Sequence, residues 1–65
     1  MLTESEIIEV NKCLIKCESG YSSKTRVCFK YLIKICSREL GGKIGEVECS
    51  TCRRFVIGWF NKRIK

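Results

Sequence analysis

The stretch SKTRVCFKYLIKICSRELGG, residues 23–42, predicts a long amphipathic helix that stops at a pair of glycines. Its apolar residues recur at steps of three and four, which places them on one face of an α-helix. This apolar face consists of Cys28, Tyr31, Leu32, Ile35 and Cys36. Gly41 and Gly42 favour the end of the helix, because glycine adopts the left-handed conformation of a helix terminus without strain. The stretch therefore predicts a helix over about residues 23–40.

The residues before this stretch predict another helix, over about residues 3–18. Thr3 can cap its first turn, and Glu6, three residues later, completes the pattern of a capping box. Four apolar residues follow at helical spacing, namely Ile7, Val10, Leu14 and Cys17. Gly20 lies just beyond them and indicates where the segment ends.

The residues after the glycine pair predict a short extended segment and then a third helix. Apolar and polar residues alternate weakly over residues 43–48, which favours an extended chain. Ser50 or Thr51 can cap the helix that follows, which we expect to run to about residue 64. Its apolar face is formed by Cys52, Val56, Trp59 and Phe60, with Phe55 beside them.

These patterns together predict a mainly α fold, in which residues 1–65 form one compact domain of three helices. Hydrophobic residues make up 45% of the chain, which is typical of a globular domain rather than a disordered one. A short loop joins the first two helices, so we expect them to be antiparallel neighbours.

The chain contains six cysteines and no histidine, which suggests how so short a chain stays folded. Below about 70–80 residues, a core alone rarely supplies more than a few kcal/mol, and small domains recruit disulfides, a metal ion or a partner. Residues 1–9 lack the basic and apolar regions of a signal peptide, and no apolar run is long enough to span a membrane. We therefore expect a cytoplasmic location, or one within a particle assembled in the cytoplasm. In that compartment clustered cysteines favour a metal ion over disulfides.

The spacing of the cysteines predicts a structural Zn²⁺ site. Cys49 and Cys52 are separated by two residues, as in half of a zinc knuckle. Cys13 and Cys17 lie four residues apart on one helix face, so both can reach the same ion. We predict these four thiols as the ligands, with Cys36 as an alternative that replaces one of the first pair. A site with four cysteine ligands has no open coordination position, so the zinc is expected to be structural.

A second pattern is the placement of positive charge, which amounts to a net charge of +6. Basic residues recur every four positions in the central helix and form a winding stripe, the α2 stripe: Arg26, Lys30, Lys34 and Arg38. Further basic residues lie in the third helix, at Arg53, Arg54, Lys62 and Arg63, and no acidic residue follows Glu48. Such one-sided charge indicates an anionic partner, and nucleic acid bound through its phosphates is the leading candidate.

The sequence predicts a binding protein rather than an enzyme. Without histidine or aspartate the usual acid–base partners are missing, and no small-molecule substrate is indicated. The first hypothesis is a zinc-stabilised helical module that binds nucleic acid. The second is an interaction or structural subunit of a larger assembly, of host or viral origin, that contacts a protein partner through Trp59 and Phe60. The third is a secreted cationic peptide with three disulfides, which rests on cysteine count and charge alone.

Overall fold

The three helices predicted from the sequence are confirmed in the computed structural model, which describes residues 2–64. Helix α1 spans Glu4–Cys17, α2 spans Arg26–Leu40 and α3 spans Ser50–Ile64. They pack into a compact body of 28 × 23 × 18 Å. No strand occurs in the described part of the chain, and residues 43–48 form a loop that ends in a turn. Residues 1 and 65, the two ends of the predicted domain, lie outside the described residues.

The first turn of α1 contains the capping box that the sequence predicts. The backbone N–H of Glu6 donates to Thr3 Oγ1 at 3.2 Å, and the backbone N–H of Thr3 donates to Glu6 Oε1 at 3.0 Å. The two bonds satisfy N–H groups that have no partner within the helix. The helix ends at Cys17, one residue earlier than predicted, and Gly20 follows with a φ of +97°.

Helix α2 begins at Arg26, three residues later than predicted, because Thr25 holds the preceding residues in a turn. The Thr25 hydroxyl donates to the carbonyl of Gly20 at 2.9 Å and accepts the N–H of Ser22 at 2.8 Å. The helix ends as predicted, with Gly41 in the left-handed region at a φ of +78°.

Contacts between helices show their relative directions. Arg38, near the end of α2, pairs with Glu6, near the start of α1. The thiol of Cys28, near the start of α2, lies close enough to Cys13, in the second half of α1, to raise the pKa of Cys13. Helices α1 and α2 are therefore antiparallel, as the short connection predicts.

Helix α3 runs in the same sense as α2. Near the starts of the two helices, the Arg53 guanidinium lies 5.9 Å from the centre of the Phe29 ring. Near their ends, the charge of Arg63 acts on the thiol of Cys36. The connection over residues 41–49 returns along α2 and passes Arg26, which pairs with Glu48 at 2.7 Å. This return places the start of α3 beside the loop between α1 and α2.

The core is formed by the facing stripes of the three helices. Its completely buried side chains are Val10, Leu32, Cys36, Val56 and Phe60. Trp59, predicted on the apolar face of α3, is only partly buried, and Phe55 is 48% exposed. Within the described residues, no helix is both long enough and apolar enough to cross a membrane.

Candidate functional site

Cys49 and Cys52 lie together at the start of α3, where Cys49 caps the helix. The carbonyl of Cys49 accepts the N–H of Arg53 at 3.1 Å, and its Sγ accepts the N–H of Cys52 at 3.4 Å. An N-cap residue accepts the first helical hydrogen bond with its carbonyl and another hydrogen bond with its side chain. The cap is therefore Cys49, one residue before the earlier of the two predicted positions.

The two thiols of this pair differ in acidity. The hydrogen bond from the Cys52 thiol, with the N–H groups of the first turn, lowers the pKa of Cys49 below its ordinary value. The same thiol–thiol bond raises the pKa of Cys52. The Cys52 Sγ also lies 3.6 Å from the carbonyl oxygen of Ile44, which is an alternative acceptor for its single proton. Cys49 is therefore the thiol of the pair that ionises more readily.

Cys13 and Cys17 form a separate cluster with Cys28, buried between α1 and α2. Burial, reinforced by the hydrogen bond with Cys28, raises the pKa of Cys13 to about 12. Burial also raises the pKa of Cys17 to about 11, with a contribution from Cys28. These thiols stay protonated at neutral pH and behave as small core residues.

The four predicted zinc ligands thus lie in two clusters, Cys49 with Cys52 and Cys13 with Cys17. Over residues 2–64, no three cysteine or acidic side chains come together in an arrangement that could hold a metal ion. Cys36, the alternative ligand, is completely buried in the core. All six cysteines are free thiols.

Both arginines of the α2 stripe are held by glutamates. Arg26 pairs with Glu48 at 2.7 Å. Arg38 makes a bidentate pair with Glu6, at 2.5 and 2.9 Å, and a further contact with Glu39 at 3.3 Å. These ion pairs compensate the charge at the two ends of the stripe. The middle of the stripe, Lys30 and Lys34, lines a shallow depression of about 300 Å³ that also contains Lys43 and Glu46.

The basic residues of α3 are in a different state, because no carboxylate in the described part of the chain forms an ion pair with any of them. Two of them lie over aromatic rings instead. Arg53 lies 3.9 Å from the centre of the Tyr21 ring and donates to the carbonyl of Val47 at 2.7 Å. Arg63 lies 4.0 Å from the centre of the Trp59 ring. Cation–π contact fixes a guanidinium and leaves its positive charge in place.

These residues border two adjoining depressions on the outer side of α3, with volumes of about 580 and 520 Å³. The first lies toward the loop between α1 and α2, and the second lies toward the end of α3. Arg54 and Gly58 belong to both. We call the combined surface the α3 groove, and its charged and aromatic residues are Tyr21, Phe29, Arg53, Arg54, Phe55, Trp59, Lys62 and Arg63.

The structure therefore separates the predicted anion-binding residues into two groups. Arg53, Arg54, Lys62 and Arg63 line two adjoining depressions and have no carboxylate partners within the described residues. The α2 stripe has both of its arginines paired with glutamates, and only Lys30 and Lys34 in its middle have no ion pair within the described residues. Sequence reasoning missed Tyr21, which comes from a loop and reaches α3 only in the folded chain. Gly58 gave a signal, as a glycine inside a helix, but the sequence does not show the depressions that border it.

The two residues predicted to contact a protein partner, Trp59 and Phe60, differ in exposure. Phe60 is completely buried, and its ring packs edge-on against that of Trp59, with ring centres 4.9 Å apart. Only Trp59, at the edge of the α3 groove, retains exposed surface.

No protein family model, curated protein or solved structure shows significant similarity to this chain.

Proposed function

We propose that this chain is a small, non-enzymatic nucleic-acid-binding module that contacts phosphates through the α3 groove. The observation that carries the proposal is the state of the four basic side chains of α3. They share one surface and have no carboxylate partner in the described chain. Phosphates bound there would release counterions without first breaking an internal ion pair.

The start of α3 supports an anionic partner in a second way. Its first turn contains no acidic residue, although the positive end of the helix dipole favours one. Arg54 is exposed at this end, and Arg53 is directed across the groove toward Tyr21. An incoming phosphate would therefore meet the helix dipole and two guanidinium groups together.

The test compares two matched pairs of neutralising substitutions. Arg54→Gln with Lys62→Gln removes two charges from the α3 groove, and Lys30→Gln with Lys34→Gln removes two from the α2 stripe. Fluorescence anisotropy with a labelled oligonucleotide at about 50 mM salt measures the affinity, and a salt series gives the slope of log K against log salt.

We expect the α3 pair to weaken binding about tenfold or more and to make the salt slope shallower by about 1.4 for a single strand. The α2 pair should change the affinity by less than about threefold. An equal loss in both pairs would mean that net charge alone drives binding. No binding by the unmodified chain at this salt concentration would refute the proposed function.

Structural zinc remains part of the proposal through Cys49 and Cys52, which lie together at the surface. Four-coordinate zinc needs further ligands beyond this pair, from a rearranged chain or from a second copy. Native mass spectrometry with and without a chelator, beside a thiol titration, tests this. One bound zinc that the chelator removes would support the site, whereas a metal-free chain with six free thiols would exclude it.

A second candidate function is suggested by the outer face of α1. Ile8 and Ile15 are 56% and 68% exposed, and their seven-residue spacing puts them on one side of the helix. Exposed aliphatic residues on one face are typical of a protein interface, as in a subunit of a larger assembly. Light scattering after gel filtration tests whether the chain associates with itself. Loss of association in Ile8→Ser with Ile15→Ser would place an interface on α1, and a monomer at all concentrations would leave this candidate without support.

A further inference from the structure

The α3 groove contains a bare strip of helix, formed by Gly58. An added Cβ at this position would have no heavy atom within 4 Å. No close approach of another helix therefore requires glycine here, and no positive φ requires it either. Glycine is among the least favourable residues in the middle of a helix. On this surface, the helix backbone is therefore open beside Arg54, where the two depressions adjoin.

Planar groups stand at the two ends of the strip. At one end the Arg53 guanidinium is stacked on Tyr21, and at the other the Arg63 guanidinium is stacked on Trp59. Each stack combines an aromatic ring with a positively charged plane. Nucleic-acid bases stack on both kinds of group when they are free of base pairing.

Unpaired cations lie between these ends. Arg54 borders both depressions, and Lys62 borders the second. Both are exposed, and neither forms an ion pair within the described residues. The α3 groove thus has stacking planes at its two ends and phosphate-binding charges between them, with an open stretch of helix at Gly58.

We infer that the α3 groove binds single-stranded nucleic acid, with phosphates at Arg54 and Lys62 and unpaired bases against the two arginine–aromatic stacks. This inference rests on the proposed function and specifies its ligand. A duplex presents its phosphates to a basic surface but keeps its bases stacked inside, so it would use the charges of the groove and leave the planar groups without contact. A single strand can contact both the charges and the planar groups of the groove.

The binding test uses four labelled probes of about 12 nucleotides. They are an oligothymidine, an abasic strand with the same phosphates, a duplex of the same length and an oligouridine. The abasic strand isolates the contribution of the bases, and the oligouridine distinguishes RNA from DNA. We expect the two base-containing single strands to bind about tenfold more tightly than the abasic strand and the duplex at the same salt concentration.

Substitutions at Gly58 test the bare strip without changing charge. Gly58→Leu places a side chain in the groove, and Gly58→Ala adds only a methyl group where space is open. Both favour the helix over glycine, so circular dichroism should show that both fold. We expect Gly58→Leu to reduce oligothymidine binding about tenfold, toward the level of the abasic strand, and Gly58→Ala, with its smaller side chain, to reduce it by less.

The possible failures of the two proposals can be told apart. Equal affinity for the oligothymidine, abasic and duplex probes, or tighter binding of the duplex, overturns the single-strand inference but preserves phosphate binding. Unchanged oligothymidine affinity in folded Gly58→Leu also overturns it. Absence of binding to every probe at about 50 mM salt overturns the proposed function together with the inference.

Discussion

Cys49 and Cys52 show how two identical side chains acquire different chemistry within one turn of helix. The thiol at the cap receives hydrogen bonds from the first turn and has its pKa lowered, whereas its neighbour donates and has its pKa raised. The four remaining cysteines are buried in the core. Because the thiolate is the reactive form, accessibility and acidity together rank the six residues.

We predict that brief alkylation at neutral pH modifies Cys49 first. Cys52 should follow, and the buried Cys13 and Cys17 should react only after the chain unfolds, because burial raises the pKa of both. Pulsed alkylation followed by peptide mass mapping measures this order. Modification of Cys13 or Cys17 at the rate of Cys49 in the folded chain would contradict the arrangement of the two clusters.

The ion pair between Glu6 and Arg38 makes the free energy of unfolding depend on pH. Hydrogen bonds from Arg38, with the capping bond from Thr3, lower the pKa of Glu6 from 4.5 to about 2. A carboxylate with a lowered pKa stabilises the fold above its unfolded pKa, and that contribution is lost as pH falls through the folded pKa. For Glu6 the loss occurs between about pH 4.5 and pH 2.

We therefore expect Glu6→Gln to be less stable than the unmodified chain at pH 7 and to approach it in stability toward pH 2. Glutamine keeps an oxygen for the capping bond, but it removes the charge and one of the two oxygens that accept from Arg38. Urea unfolding over a pH series measures the two free-energy curves. A constant difference between the curves across this range would show that the ion pair does not contribute.

Two glycines, one in the loop before α3 and one inside α3, have opposite requirements. Gly45 has a φ of +152°, and an added Cβ would lie 2.1 Å from Cys52 Sγ, so both backbone and space exclude a side chain. Gly58 lies inside a helix with open space around it. The same substitution should therefore change the free energy of unfolding in opposite directions at the two positions.

We predict that Gly45→Ala destabilises the fold by about 1–3 kcal/mol and that Gly58→Ala stabilises it by about 1 kcal/mol. For a domain of this size the stabilisation corresponds to a rise in Tm of about 4–8 °C. Thermal unfolding followed by circular dichroism measures both variants against the unmodified chain. Stabilisation by Gly45→Ala would contradict the described packing of Cys52 against the loop.

The elements could be predicted from the sequence where their signals are local. The capping box of Thr3 and Glu6 and the stop at Gly41 each depend on residues within a few positions, and both are confirmed. The start of α2 could not be placed, because Thr25 bonds to Gly20 in the preceding loop. Nor could the cap of α3, because Cys49 is not among the residue types that usually occupy this position.

At the scale of the whole molecule, the distribution of charge is decided by contacts that the sequence does not show. The net charge of +6 and the basic residues of α2 and α3 are readable directly. Which cations remain unpaired depends on ion pairs between distant residues, such as Arg38 with Glu6 and Arg26 with Glu48. Because these pairs involve both arginines of the α2 stripe, we place the candidate interface on α3 rather than on α2. The groove itself requires Tyr21, which only the packing of the helices brings to α3.

The location of the interface can be measured directly by NMR. An oligothymidine is titrated into the ¹⁵N-labelled chain at about 50 mM salt, and the change in each backbone amide shift is mapped onto the fold. We expect the largest changes in α3 between residues 50 and 63 and at Tyr21, with small changes over residues 26–38. Largest changes along α2, or no changes at saturating oligonucleotide, would contradict the claim that α3 is the nucleic-acid-binding surface.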